Sequence, residues 1–122
     1  MKPGKSGIER IINAFKYSCE GFKAAYKSEE AFRQDILICI ILLPIAIFLR
    51  VTTAERLLLF STMILLIMAE LMNTAIEYTI DRISHDIHPL SKIAKDIGSC
   101  IVFFAFIYMV IVWGTIIIGI FL

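Results

Sequence analysis

Three long apolar runs dominate the chain, and most of its charges fall between them. The first extends from Ile36 to Leu49, the second from Leu57 to about Ile80, and the third from Ile97 to Leu122. Runs of this length in one small chain predict an all-α integral membrane protein with spanning helices over 31–49, 56–80 and 97–121. The first run alone is shorter than the ~20 residues a bilayer core requires. Ala31 and Phe32 extend it, with Arg33 snorkelling to the interface. Pro44 should kink this helix, a break that neighbouring helices tolerate in a membrane.

Ahead of the first run the pattern changes. Residues 1–7 read as a loose start. Gly4-Lys5-Ser6 has the tail of a phosphate-binding loop, but no room upstream for its glycine or its strand. Ser6 is placed to cap a helix, and Glu9 to complete a capping box. From there Ile8, Ile11, Ile12, Phe15, Cys19, Phe22 and Tyr26 recur on one face, with Lys and Arg at its edges. This predicts an amphipathic surface helix over 6–28, suited to the membrane interface, although packing on protein would produce the same pattern. Residues 28–35 read as a charged hinge, 50–56 as a short turn, and 81–96 as a polar connection containing Pro89. The whole of 1–122 then forms a single membrane domain.

The second run carries an anomaly. Glu70, Asn73, Glu77 and Asp81 are spaced at three or four residues, so on a helix they fall within about 80° of arc. Ionisable groups in a spanning segment carry a large desolvation cost, and their default reading is a functional site.

Composition and charge sharpen this picture. The chain is 59% hydrophobic over 122 residues, above the half that is usual for soluble domains, and its mean hydropathy is +0.84. A net charge of +1 offers no electrostatic footprint for nucleic acid. Charges interleaved through the first apolar residues do not match a cleavable signal. Cys19, Cys39 and Cys100 have no metal-ligand spacing and read as small apolar filler. The 12 Lys and Arg divide as seven over 1–35, three over 81–96, two over 50–56 and none beyond. The positive-inside rule therefore puts the N-terminus and the 81–96 connection in the cytoplasm, and the C-terminus outside.

Depth then assigns roles. Entering from the outer side at Arg56, the helix reaches Glu70 after ~21 Å and Glu77 after ~31 Å, against a ~30 Å hydrocarbon core. Glu70 thus falls near the lipid headgroup boundary and Glu77 at the cytoplasmic interface. Glu29, Asp86, His88, Lys95 and Asp96 lie at the same level. Such a site joins a cytoplasmic, anionic substrate to one in the lipid. Glu29 and Glu77 could hold a hard divalent cation whose other ligands are waters and phosphate oxygens. Lys95 could pair with phosphate, and a partly desolvated Glu70 suits a general base on a hydroxyl. Each has a plainer reading: interfacial charges for Glu77 and Lys95, an interhelical hydrogen bond for Asn73, a loop residue for His88, and a helix-end pair with Arg82 for Asp81. An ion-coupled transporter using Glu70 is the rival from another class, but it would carry its carboxylate nearer the midplane.

The run Glu70-Leu-Met-Asn73-Thr-Ala-Ile-Glu77 resembles the signature Glu-Leu-x-Asn-Ser/Thr-Ala-Ile-Glu of the prokaryotic diacylglycerol kinases. Ala31-Phe32-Arg33-Gln34 and Ala94-Lys95-Asp96-Ile97-Gly98-Ser99 match that family's other recurrent segments in order and spacing, as do Arg10-Ile-Ile and Tyr17-Ser18. The resemblance implies a homotrimer in the bacterial inner membrane, each subunit having a surface helix and three spanning helices, with ATP sites between subunits. It implies Glu70 as base on diacylglycerol, supported by Asn73, and Mg²⁺ on Glu29 and Glu77. Around ATP it implies Arg10, Tyr17, Glu29, Glu77, Asp86, His88, Lys95 and Asp96. The lipid groove would include Arg10, Ala14, Ser18, Lys23, Ala31, Arg33, Gln34, Arg56, Glu70, Ser99 and Trp113. Cys19, Tyr26 and Phe48 stand where tryptophan is common in the family, and Asp86-Ile-His88 is a variant of its acidic-x-His segment. The stretch His88 to Asp96 also resembles the Gram-positive branch, which phosphorylates undecaprenol, whereas Phe32-Arg33-Gln34 and Gly98-Ser99 favour the diacylglycerol branch.

Overall fold

The computed structural model describes residues 6–122, so most of the loose start lies outside the described residues. Four helices follow in order: α1 (Gly7–Ser28), α2 (Glu30–Phe48), α3 (Thr53–Ile83) and α4 (Pro89–Phe121). No strand occurs among the described residues. Helices α2, α3 and α4 are each long and apolar enough to cross a membrane.

Local chemistry sets the helix starts. Gly7 takes the left-handed conformation (φ 68°) that admits the chain into α1, a geometry that a side chain would strain. The expected capping box there does not form, because the Ser6 side chain makes no capping hydrogen bond. A capping box closes instead at α3. Glu55 N donates to Thr52 Oγ1 at 3.1 Å, and Thr52 N donates to Glu55 Oε1 at 3.0 Å, satisfying two donors that the helix leaves free. Helix α4 begins eight residues earlier than the apolar run predicts. Pro89 occupies its first turn, and His88 caps it by accepting from Leu90 N on Nδ1 at 3.1 Å. The non-helical connection is therefore 84–88 rather than 81–96. The hinge shrinks in the same way: Glu30 to Asp35 belong to α2, and only Glu29 breaks the helix. Pro44 lies inside α2 and leaves the Ile40 carbonyl without its usual helical donor.

Two arginines tie the helix ends. Arg33 Nη1 donates to the carbonyls of Tyr26 (2.7 Å) and Lys27 (3.2 Å) at the end of α1. Arg56 donates to Ala46 and Ile47 (both 2.6 Å) and to Leu49 (3.1 Å) at the end of α2. Carbonyls left unpaired at helix C-termini take such donors readily.

Helix α3 is the centre of the molecule. It packs on α2 and on α4, while α1 touches α2 and α3, and α2 does not meet α4. Leu59, Thr62, Met63, Leu66 and Ala69 form its buried stripe, against Ala46 of α2 and Ala105, Met109 and Ile116 of α4. Polar ties reinforce the α3–α4 seam toward the N-terminal end of α3: Trp113 Nε1 donates to Thr62 Oγ1 at 2.9 Å, and Ser61 Oγ pairs with Tyr108 OH at 3.0 Å. The N-terminal part of the apolar face of α1 is not packed on the rest of the chain, with Ile8, Ile11 and Phe15 all at least 70% exposed, whereas Phe22 meets Phe32 of α2 edge-to-face at 5.1 Å. Within one chain, then, α1 packs on protein only toward its C-terminal end, where Ala25 is buried.

Candidate functional site

The buried stripe of α3 does not end with its apolar residues. It continues through Glu70 and Thr74, each only 5% exposed, and through half-buried Asn73, Glu77 and Asp81. Because 3.6 residues complete a turn, the face that packs the core is also the face that presents the carboxylates. Residues from the other helices meet it here.

Glu29, at the break between α1 and α2, hydrogen-bonds Glu77 across the α2–α3 seam. Burial raises the Glu29 carboxyl to about 7, aided by the hydrogen bond and charge of Glu77 and then by the charge of Asp81. Two carboxylates in contact cannot both ionise cheaply, so one proton is shared between them. Asn73 Nδ2 donates to Glu77 Oε1 at 3.1 Å. Its Oδ1 is buried without a hydrogen-bond partner among the described residues and rests over Gly98 of α4. A Cβ at Gly98 would run into that oxygen, with Ile76 Cδ1 3.4 Å away. Glycine is what allows α4 this close to the polar stripe.

Lys95 reaches from the second turn of α4 to Asp81 Oδ1 at 2.9 Å. Asp81 is thus bridged to α4 and is not paired with its neighbour Arg82, as a helix-end reading suggests. Lys92 pairs with Asp96 at 2.6 Å along the exposed face of α4. A pocket of about 290 Å³ opens here, and its lining includes Asp81, Asp86, His88, Lys95 and Asp96. Four residues assigned from sequence to the nucleotide therefore share one cavity, and Glu29 and Glu77 adjoin it through Asp81.

The remaining assignments are more scattered. Arg10, Ala14, Ser18 and Lys23 are exposed along α1, where Ser18 Oγ donates to the Ala14 carbonyl at 2.8 Å; Tyr17 is half-buried. Ala31 and Gln34 are exposed on α2, and Ser99 on α4. Arg33 and Arg56 are engaged with helix ends, as described above. Trp113 is held by Thr62, about 12 Å along α3 from Glu70. Three features were not legible as such: Asp81 as the partner of Lys95, Gly98 as the close-approach point, and the burial of Asp35. Asp35 reads as part of a hinge but is buried inside α2. Its position one turn beyond Phe32, on the face that also carries Cys39 and Ala46, was the available signal.

These features define a small polytopic membrane protein with a carboxylate-rich site at one end of its spanning helices. The chain belongs to the prokaryotic diacylglycerol kinase family, whose model matches residues 16–117. Among curated relatives, a diacylglycerol kinase of Pseudomonas aeruginosa is 46% identical over 95% of this chain and 94% of its own length. One from Haemophilus influenzae is 43% identical over 91% and 94%. One from Escherichia coli K12 is 42% identical over 93% of each.

Proposed function

We propose that this protein transfers the terminal phosphate of ATP to the free hydroxyl of diacylglycerol, giving phosphatidic acid and ADP. The observation that carries this reading is the convergence of Glu29, from the α1–α2 break, and Lys95, from α4, on the Glu70–Asn73–Glu77–Asp81 stripe of α3. The relatives, each named a diacylglycerol kinase, support the acceptor.

Mg²⁺ suits the donor set. Glu29 and Glu77 already share a site that needs one proton to relieve their repulsion, and a divalent cation would relieve it better. No group of three or more His, Cys, Asp or Glu suited to a metal ion exists among the described residues. That accords with a cation that keeps waters and takes its remaining ligands from phosphate. When bound, Mg²⁺ neutralises charge on the phosphate oxygens.

In the reaction, Glu70 accepts the proton of the lipid hydroxyl as that oxygen bonds to the γ-phosphorus. The bond to the β–γ bridging oxygen breaks in line, and ADP departs. Lys95 offsets the developing phosphate charge. Asn73 holds Glu77 in register, and Asp86, His88 and Asp96 line the nucleotide pocket. Arg10, Tyr17 and the lipid-groove residues complete the site. Because α2 and α4 do not meet, part of the enclosure comes from outside one chain; a homotrimer with intersubunit sites fills that need. The protein spans the bacterial inner membrane, with its N-terminus and the 84–88 connection cytoplasmic and its C-terminus outside.

The test is transfer from Mg-ATP to diacylglycerol and, in parallel, to undecaprenol in mixed micelles. Glu70→Gln should abolish transfer while leaving assembly intact. Near-normal turnover by that variant would remove Glu70 as the base.

A further inference from the structure

Lys92 is a charge that the reaction above leaves idle, and its place in the helix is an unfavourable one. It closes the first turn of α4, which Pro89 opens, and a cation there opposes the positive end of the helix dipole. Its partner is Asp96, at 2.6 Å. In that pair the base precedes the acid by four residues, the weaker of the two orders on a helix. Both side chains are largely exposed, so the pair adds little to stability and exchanges readily. Helix stability does not account for a lysine at this position.

The cavity offers an account. Lys92 and Lys95 both line the pocket of about 290 Å³ at the start of α4. Three residues apart on one helix, their Cβ atoms are ~5–6 Å from each other. Each holds a carboxylate, Lys95 that of Asp81 and Lys92 that of Asp96. Asp81, Asp86 and Asp96 in the lining outnumber the two lysines, so an anionic chain is welcome only where the lysines turn from carboxylate to ligand. A phosphate oxygen replaces a carboxylate oxygen like for like, as acceptor of a charge-assisted hydrogen bond.

Register orders the two lysines. Gly98 of α4 lies against Asn73, and Lys95 reaches Asp81, so α4 runs antiparallel to α3 and its earlier residues lie farther from Glu70. Lys92 is ~4.5 Å farther out than Lys95 along the helix axis.

We infer that Lys92 binds the β-phosphate of the nucleotide, one phosphate outward from the γ-phosphate on Lys95, with Asp96 holding Lys92 until the nucleotide arrives. This rests on the proposed transfer from ATP. The γ-phosphorus faces the lipid hydroxyl at Glu70, so the phosphates that stay with the nucleoside trail toward the start of α4, where Lys92 stands. The same contact exists in ATP and in ADP, so it contributes to binding of both and not to the transfer step.

The experiment measures the KM for Mg-ATP and the inhibition constants of ADP and AMP, in transfer to diacylglycerol in mixed micelles, for wild-type, Lys92→Met and Lys92→Arg proteins. Lys92→Met should raise the KM for ATP and the inhibition constant of ADP on the order of 10-fold, for one lost charge-assisted hydrogen bond, and change kcat far less. AMP lacks the β-phosphate and should inhibit wild type and variant equally. Lys92→Arg keeps the charge and should restore most of the ADP affinity. Thermal unfolding should be the same for all three proteins, since the side chain is exposed. Unchanged ATP and ADP constants in Lys92→Met overturn the inference. So does an equal loss for AMP and ADP, which would place Lys92 at the nucleoside, and so does a fall in kcat at constant KM, which would place it in the transfer step. A wild-type protein that transfers no phosphate from ATP refutes the kinase reading itself.

Discussion

Gly98→Ala separates stability from catalysis at the α3–α4 contact. In an exposed helix interior this change stabilises by up to ~1 kcal/mol, because alanine is the better helix former. Here the added methyl meets Asn73 Oδ1, and Asn73 Cγ is only 3.3 Å away. The backbone need not move, since the amide can rotate away. Rotation breaks the 3.1 Å bond from Asn73 Nδ2 to Glu77 Oε1, a bond to a carboxylate worth ~1.5–3 kcal/mol. The first effect offsets part of the second, leaving a net destabilisation of about 0.5–2 kcal/mol. Activity has no such compensation. A misplaced Glu77 displaces the proposed metal and nucleotide, and an ~1 Å error in positioning costs about 10²-fold in rate. The assay is paired: thermal unfolding in detergent micelles and initial rates of phosphate transfer. Gly114→Ala is the control, because a Cβ there meets nothing within 4 Å. Gly98→Ala with wild-type turnover, or turnover reduced equally by Gly114→Ala, would refute the reasoning.

Further outcomes follow from the same geometry. Arg56→Ala removes three hydrogen bonds from the end of α2 and should destabilise the protein by about 2–3 kcal/mol; Arg56→Lys should recover less than half, lacking the guanidinium fork. The Asp81–Lys95 pair is partly exposed, so a double-mutant cycle on unfolding should show only weak coupling, while Lys95→Met loses transfer by at least ~10²-fold. Glu29 has a folded pKa raised to about 7 from 4.5, so the folded state binds the extra proton between these values. In metal-free protein its contribution is present below pH 4.5 and is lost as pH rises through 7. Glu29→Gln should flatten that dependence in unfolding measured from pH 5 to 8.

Much of the candidate site was legible because polar residues are conspicuous in an apolar helix. Glu70, Asn73 and Glu77 stand out in an apolar helix at helical spacing, and Glu29 and Lys95 lie at the same depth by counting. Other features were hidden by the same logic. Residues 89–96 are polar and follow a proline, so they read as a loop. They form helix because proline is tolerated in the first turn, His88 caps it, and Lys92 pairs with Asp96 one turn on. Asp35 lies among charges in sequence but among apolar side chains in space.

The sequence by itself therefore determined the helical class, the three segments long and apolar enough to span a membrane, and the face of α3 that carries the polar residues, since helical period converts spacing directly into face. Only the tertiary structure decided which charges meet. Asp81 chooses Lys95 over its neighbour Arg82, Arg33 and Arg56 choose helix-end carbonyls, and Gly98 lets α4 close over Asn73. These choices depend on the rotation and separation of packed helices, set by side-chain volumes contributed from distant parts of the chain.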